Sequence, residues 1–210
     1  CGGRGADASV AEQLNLKELR SRHYDVVTNV DRETAREVAR HMDQVYRAYM
    51  RRIGGAGFDR KVQGRMKLYL LQTHDQYVKV LAEKQVNAAG TGGLFMARGH
   101  FAALFTFVNE RRMYATLQHE GFHQFAYMMI GELPTWANEG LAEYFGDAAL
   151  IDGKLELGQV GRNRLKHLQG AIGKGAAYGF DALLNMSPAE WRDKVRQGRR
   201  SRLLYDQSWS

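Results

Sequence analysis

HEGFH, residues 119–123, lies inside a stretch whose apolar residues recur at helical spacing. Those apolar residues are Met113, Leu117, Phe125 and Met129. On a helix, His119 and His123 share one face about one turn apart, so their imidazoles can converge on a single metal ion. Glu120 then flanks that ion without binding it, and its carboxylate can take a proton from water. The pattern predicts a helix over residues 113–130 that carries two metal ligands and a general base.

A catalytic zinc site needs a third protein ligand and one open coordination position. Residues 136–145, WANEGLAEYF, form the next helical pattern. A chain reversal over residues 131–135 can return this second helix to the first, with Glu139 facing the metal. Glu143 lies four residues later on the same face, where it can accept a hydrogen bond from a ligand imidazole. The spacing predicts one zinc ion held by both histidines and Glu139, with Glu143 orienting a ligand.

The remaining pattern predicts an α+β fold, in which a small mixed β-sheet with helices precedes a mainly helical lobe. The predicted strands are residues 23–30, 65–71, 94–97 and 101–108. One helix is predicted over residues 32–53, with Asp31 as its N-cap and Gly54, Gly55 and Gly57 at its end. Further helices are predicted over residues 74–84, 136–147, 157–172, 180–184 and 188–196. Ser187 is the predicted cap of the last one. Because no linker separates the halves, we expect one domain over residues 19–210, divided into a sheet lobe with the active-site helix (19–130) and a helical lobe (131–210).

The composition is ordinary for a globular protein, with 44% hydrophobic and 25% charged residues in a chain of 210. No run of about 18 apolar residues predicts a membrane-spanning helix. The formal net charge is +7, but the basic residues are spread along the chain apart from one cluster, which is Arg196, Arg199, Arg200 and Arg202. The chain has no zinc finger, RNA-binding aromatic signature or nuclear-type basic run. We therefore expect no nucleic-acid partner and interpret the charge as a solvated basic face.

Cys1 is the one cysteine, so no internal disulfide can form. A cysteine at this position followed by Gly2 and Gly3 is what remains after cleavage of a bacterial lipoprotein signal peptide. Residues 1–18 would then be a disordered tether, and a lipid on Cys1 would anchor the protein to a membrane of the cell envelope, outside the cytoplasm. The alternative is a sequence boundary that falls on a cysteine by chance. The sequence leaves both interpretations open, as it does the oligomeric state.

HEGFH followed by WANEGLAEYF resembles the gluzincin metallopeptidases, and is most similar to a bacterial peptidase-MA-like group whose members are largely domains of unknown function. The similarity extends to HYDVVTNV at residues 23–30, Gly-Gly-Leu-Phe at residues 92–95 and Tyr-Asp-Gln-Ser-Trp at residues 205–209, and it covers most of residues 20–210. The resemblance implies a zincin-like fold, with a glutamate of the second helix as third zinc ligand. Carried over, His119, His123 and Glu139 are the ligands and Glu120 is the base.

The resemblance also implies a role for Tyr205, because gluzincins commonly use a tyrosine or histidine after the third ligand to stabilise the oxyanion. The alternative is that Tyr205 packs against Trp209. An edge strand above the metal would bind extended substrate by strand addition, and residues 94–97 or 101–108 are the candidates. The second is strongly apolar, which favours an interior strand. The resemblance further implies that the last helix continues beyond Ser210, which leaves open whether the helical lobe is complete.

The motif and the resemblance together lead us to expect a zinc metallopeptidase, a hydrolase whose partner is a peptide or protein substrate. One alternative is a protein that keeps the gluzincin fold and zinc site but acts as a non-proteolytic binding or scaffold module of the cell envelope. Another is a basic envelope protein that binds anionic polymer or lipid through charge alone. The sequence identifies neither the substrate nor the position of cleavage.

Overall fold

The structure, a computed structural model, describes residues 9–54, 64–107, 109–151, 154–198 and 201–210. Some predictions concern residues outside these ranges, namely the anchor at Cys1 with residues 1–8 of the tether, the helix end at Gly55 and Gly57, the strand end at Val108, and two members of the basic cluster, Arg199 and Arg200. No described helix is both long enough and apolar enough to cross a membrane.

The N-terminal part of the chain forms the predicted mixed β-sheet, but with five strands instead of the four that the sequence predicts. Its strands are β1 (Lys17–Arg20), β2 (Tyr24–Thr28), β3 (Met66–Leu71), β4 (Gly93–Met96) and β5 (Phe101–Phe105), in the spatial order β1-β2-β3-β5-β4. The three inner strands are parallel, while β1 and β4 run antiparallel to their neighbours. The inner strands β3 and β5 are apolar because helices cover both faces of the sheet. β5 is therefore interior, and β4 is an edge strand.

Two elements lie where the sequence predicts an unstructured tether. α1 (Val10–Gln13) begins with a capping box in which Ser9 and Glu12 each accept a backbone N–H of the other. β1 pairs with β2 along its whole length, although its sequence KELR is mostly exposed and has no apolar alternation. The tether prediction is therefore wrong for residues 9–18, because an edge strand gains its order from backbone pairing and needs no buried face.

Helices cover the two faces of the sheet. α2 (Arg32–Arg52) begins at Asp31, whose carboxylate accepts two backbone N–H groups of the first turn, which confirms the predicted N-cap. α3 (His74–Glu83) begins with a capping box at Thr73 and packs on the other face of the sheet. The buried face of α2 follows helical spacing and includes Val38, Met42, Val45 and Tyr49. This face packs against β2 and against the helix that carries HEGFH.

From residue 110 onward the chain is mainly helical, as predicted. The helices are α4 (Glu110–Met129), α5 (Thr135–Gly146), α6 (Arg162–Gly173), α7 (Phe180–Leu184), α8 (Pro188–Arg196) and α9 (Ser201–Trp209), and Ser187 caps α8. An antiparallel pair, β6 (Ala149–Ile151) and β7 (Lys154–Glu156), precedes α6 and was not predicted. The helix predicted from residue 157 therefore begins later, at Arg162. Strands of three residues are too short to show an alternating pattern.

Candidate metal centre

Three ligand-type atoms from α4 and α5 meet at one point. The Nε2 atoms of His119 and His123 are 3.1 Å apart, and Glu139 Oε2 lies 3.5 Å from the first and 3.6 Å from the second. Tetrahedral zinc with bonds of roughly 2.0–2.1 Å keeps its ligand atoms about 3.3–3.4 Å apart. The triangle thus has the size that a zinc ion requires. Among the residues that the structure describes, it is the one group of three such side chains close enough to hold a metal ion.

The two histidines face the cleft because α4 lies deep against α2 on its opposite side. His119 and His123 are one turn apart on α4, as HEGFH predicts. Gly121 lies between them on the face that meets the core, where a Cβ atom would come within 2.6 Å of Met42 Cε and 3.3 Å of Tyr49 Oη. The absence of a side chain at Gly121 therefore lets α4 pack closely against α2, and a larger residue would force the flexible end of Met42 to move. The third residue of HEGFH therefore positions the helix rather than the metal.

Glu139 reaches the histidines because the chain reverses between α4 and α5. Gly131, at φ 94°, adopts the left-handed conformation that ends α4, and Pro134 precedes α5. Behind the centre, the ring of Phe122 on α4 stacks on that of Phe145 on α5, with ring centroids 5.1 Å apart. This packing fixes the two helices side by side. The reversal predicted over residues 131–135 is therefore present.

Each histidine also contacts a polar side chain of α5 through its second ring nitrogen. His119 Nδ1 lies 3.4 Å from Glu143 Oε1, and His123 Nδ1 lies 3.1 Å from Asn138 Oδ1. These oxygens accept hydrogen bonds, so they place a proton on Nδ1 and leave Nε2 as the metal-binding atom. The spacing of Glu143 predicts the first contact. Sequence reasoning missed Asn138, although it directly precedes Glu139.

A buried arginine holds Glu143 in place. Arg164 of α6 is 8% exposed, and its guanidinium contacts the carboxylates of Glu143, Asp147 at 3.1 Å and Asp206 at 3.6 Å. These carboxylates come from α5, from the residue that follows α5 and from α9. The arginine thus links three parts of the helical lobe behind His119. No local sequence signal marks this role, because its partners are distant along the chain.

The pKa values describe the centre without a metal. Burial lowers the pKa of His119, but hydrogen bonds with Glu139 and Glu143 outweigh burial and raise the pKa to about 10. For Glu139, burial raises the pKa, but hydrogen bonds with His119 and His123 lower it to about 2. A proton on His119 therefore takes the place of a cation among these groups. A metal ion must displace this proton when it binds.

The ligands lie in a cleft of about 610 Å³, which Glu120 and Tyr205 also line. Glu120 has no hydrogen bond or ion pair with any described residue, so its carboxylate is free to act on a bound molecule. Tyr205 of α9 packs edge-on against Trp191, with ring centroids 5.5 Å apart. Its aromatic partner is thus Trp191 rather than the Trp209 considered above. Burial, followed by the charge of Glu139, raises the pKa of Tyr205 to about 12.

β4 forms the wall of the cleft opposite α5. Its residues Gly93, Leu94 and Phe95 line the space above the ligands. A Cβ atom at Gly93 would lie 2.6 Å from Thr116 Cγ2 and 3.3 Å from Glu120 Cγ, so only glycine lets this strand lie so close to α4. Of the two candidate strands for substrate, β4 is the one with a free edge, and β5 is interior.

Sequence comparison covers the helical part of this site. Residues 113–210 match the sequence model of a family described as a protein of unknown function, DUF1570. This segment is slightly less than half of the chain, and it contains the three residues that could hold a metal ion together with Glu120 and Tyr205. No match was found among curated proteins. The family description states no activity, so a function must be argued from the site itself.

Proposed function

We propose that the chain is a zinc-dependent metallopeptidase that hydrolyses peptide bonds, with Glu120 as general base. The observation that carries the proposal is the triangle of His119, His123 and Glu139, whose ligand atoms are 3.1–3.6 Å apart. The triangle opens onto a cleft beside a carboxylate that no described residue binds. Zinc ligands with a neighbouring free carboxylate are the groups that metal-assisted hydrolysis needs.

The metal and Glu120 would have different roles in the reaction. A zinc ion at this position would polarise the peptide carbonyl and lower the pKa of water towards about 7. Glu120 takes a proton from the attacking water as the new C–O bond forms. It then gives that proton to the leaving amine as the C–N bond breaks. The base is regenerated, and one water molecule is consumed for each bond cleaved.

Tyr205 and β4 complete the proposed site. The pKa of Tyr205 is raised from 10.0 to about 12, so the residue stays protonated at neutral pH as an ordinary tyrosine does, and its hydroxyl can donate a hydrogen bond to the oxyanion. The free edge of β4 offers backbone N–H and C=O groups to an extended peptide, which would add to the sheet as a further strand. These two roles would select an extended peptide and stabilise the charge that develops on it.

The substitution Glu120→Gln tests the mechanism. The amide cannot take a proton from water, so we expect hydrolysis of a peptide library to fall by at least about 10²-fold. Zinc content, measured by mass spectrometry of the purified protein, should stay at one ion per chain. Glu110→Gln, at the exposed start of the same helix, is the matched control and should keep full activity. Hydrolysis that survives in the Glu120→Gln protein would contradict the proposal.

The same experiment separates the proposal from its closest rival. A wild-type protein that carries one zinc ion but cleaves no member of a broad library would favour a non-proteolytic binding module. Cleavage that is lost on chelation and restored by zinc would favour the peptidase.

A further inference from the structure

Two large aromatic side chains line the metal cleft without belonging to the core. Phe95 of β4 and Tyr127 of α4 border the same cleft of about 610 Å³ that contains His119, His123 and Glu139. Neither ring packs in a hydrophobic cluster of the described residues. The two rings contact each other instead, with centroids 5.6 Å apart. We call this pair the aromatic shelf.

The aromatic shelf is open to solvent. Tyr127 is 40% exposed, although the ring of His100 also contacts it, with centroids 5.5 Å apart. Phe95 is half-buried. Two adjacent aromatic rings that stay in water beside a cleft leave apolar surface that a ligand can cover. The shelf therefore offers a contact that the chain does not use itself.

The register of β4 turns Phe95 towards the cleft. Successive side chains of a strand point to opposite faces of the sheet. A Cβ atom at Gly93 would lie 3.3 Å from Glu120 Cγ, so Phe95, two residues later, is on the face that meets α4. Leu94 and Met96 point the other way and pack with the cluster under α3. Phe95 thus shares the face of β4 that adjoins the proposed base.

The aromatic shelf lies within about three peptide residues of the proposed site of cleavage. Phe95 follows Gly93, the residue beside Glu120, by about 7 Å along the strand. Tyr127 follows His123 by four positions, or about 6 Å along the helix axis. A peptide paired with the free edge of β4 advances about 3.3 Å per residue. A residue two or three positions from the scissile bond would therefore lie beside the shelf.

The charges of the cleft disfavour an acidic side chain at the shelf. The described lining contains three carboxylates and neither lysine nor arginine. Two of the carboxylates, Glu120 and Glu139, belong to the metal centre, and the third is Glu132. Glu132 is exposed, so it repels an acidic group but attracts a basic one only weakly. A large apolar side chain therefore gains most from this part of the cleft.

We propose that the aromatic shelf is a specificity subsite, which selects peptides with an aromatic residue or leucine two or three positions from the scissile bond on one side. The inference rests on the proposed peptidase function. The apolar side chain of the peptide packs on the rings of Phe95 and Tyr127, and this contact removes apolar surface of both molecules from water. A small polar or acidic residue at that position lacks the contact.

The test measures both cleavage and binding. The zinc-loaded protein digests a peptide library, and mass spectrometry identifies the residues around each cleaved bond. In parallel, the zinc-loaded Glu120→Gln variant is titrated with two polar peptides that differ only by leucine or asparagine at one central position. These two side chains have nearly the same shape, so the comparison isolates polarity.

Both measurements are repeated with three variants. Phe95→Ser/Tyr127→Ser removes the shelf, and Tyr127→Phe keeps its ring without the hydroxyl. Phe180→Ser is the matched control, because Phe180 of α7 is an aromatic residue that is 83% exposed and lies outside the cleft lining. Thermal unfolding checks that each variant is folded, and Tyr127→Ser alone replaces the double variant if the latter does not fold.

We expect large apolar residues to be enriched two or three positions from the cleaved bonds, on one side. The leucine peptide should bind about tenfold more tightly than the asparagine peptide, and the difference should persist at high salt. The preference should be lost in Phe95→Ser/Tyr127→Ser and kept in Tyr127→Phe and Phe180→Ser. Equal affinities, a preference for lysine, or a preference that survives removal of the shelf would overturn the inference.

The two arms separate this inference from the peptidase proposal. Efficient cleavage without apolar enrichment would leave the peptidase function intact and refute the subsite. Absence of any cleavage, together with a preference for the leucine peptide that depends on Phe95 and Tyr127, would refute the peptidase function and leave the shelf as a peptide-binding site.

Discussion

The two histidines of the candidate metal centre differ in the side chain of α5 that each of them contacts. His119 meets the carboxylate of Glu143, whereas His123 meets the neutral amide of Asn138. A carboxylate partner makes an imidazole more basic than an amide partner does, so His119 should be the stronger electron donor to a metal. Arg164 weakens the effect of Glu143 on the basicity of His119, because its guanidinium forms an ion pair with the same carboxylate. Residues on three helices thus determine the chemistry of one imidazole.

The substitution Tyr205→Phe distinguishes the two roles considered for this residue. Phenylalanine keeps the edge-on packing against Trp191 and removes only the hydroxyl. If the hydroxyl stabilises the oxyanion, kcat should fall about 10²-fold while KM and the unfolding temperature stay nearly constant. The measurement is steady-state kinetics on a cleaved peptide, with thermal unfolding as the control for packing. An unchanged kcat would assign Tyr205 to packing alone.

For individual residues, the four-residue spacing in the sequence correctly predicted which side chains share a helix face. His119 with His123, and Glu139 with Glu143, follow from the four-residue period, and the structure places each pair on one face. Arg164 could not be found in this way, because it acts through contacts with residues 17, 21 and 42 positions away. Such contacts depend on how helices pack, which a single sequence does not encode locally.

At the scale of elements, α5 and α9 approach each other closely beside the site. A Cβ atom at Gly140, next to Glu139 in the sequence, would lie 2.0 Å from the carbonyl oxygen of Ser208. Backbone cannot move aside as a flexible side chain can. The absence of a side chain at this position therefore lets α9 approach α5 and brings Tyr205 into the cleft wall.

Gly140→Ala should therefore destabilise the protein, and Gly170→Ala should not. The first forces α5 and α9 apart, at a cost of about 1–3 kcal/mol in the free energy of unfolding. Gly170 lies inside α6, and a Cβ atom there would have no heavy atom within 4 Å, so alanine should stabilise by roughly 0.5–1 kcal/mol through helix propensity. Chemical denaturation measures both. Equal effects of the two substitutions would show that the α5–α9 contact is looser than described.

Among these elements, the helices were predicted better than the strands. Asp31 and Ser187 cap the helices that the sequence assigned to them, because capping depends on neighbouring residues alone. β1 was missed because its residues are mostly exposed and its order depends on pairing with β2. The pair of β6 and β7 was missed for a related reason, since strands of three residues carry too little pattern.

The acid–base behaviour of the whole molecule should change with metal loading. In the metal-free protein, the pKa of His119 is about 10 against an ordinary 6.5, so its contribution to stability is complete below pH 6.5 and is lost as pH rises to 10. The pKa of Glu139 is about 2 against an ordinary 4.5, so its contribution is complete above pH 4.5 and is lost as pH falls to 2. From these two groups, the unfolding temperature in chelator should be highest between pH 4.5 and 6.5.

Zinc should reverse the alkaline side of this profile. The ion competes with the proton on His119, so zinc binds more tightly as pH rises. We expect the increase in unfolding temperature caused by zinc to be larger at pH 8.5 than at pH 6, and His119→Gln should abolish it at both. Thermal unfolding in chelator and in zinc gives both curves. An increment that does not change with pH would contradict the assignment of His119 as a ligand.

For the molecule as a whole, the order of strands and helices gave the α+β class and the division into a sheet part and a helical part. The position of the cleft could be anticipated, because the chain reversal after HEGFH returns the following helix, α5, to the side of α4. The cavity of about 680 Å³ between α2, the first turns of α4 and the segment after α5 could not be anticipated, because α2 and that segment are more than 90 residues apart in the sequence. Cavities between distant segments depend on packing, which only the folded chain shows.

The central claim is that His119, His123 and Glu139 bind zinc. A crystal of the zinc-loaded protein, measured at energies on both sides of the zinc absorption edge, tests it most directly. We predict one anomalous peak at about 2.0–2.1 Å from Nε2 of both histidines and from a carboxylate oxygen of Glu139. A map without a peak at this position, from protein that contains stoichiometric zinc elsewhere, would contradict the account.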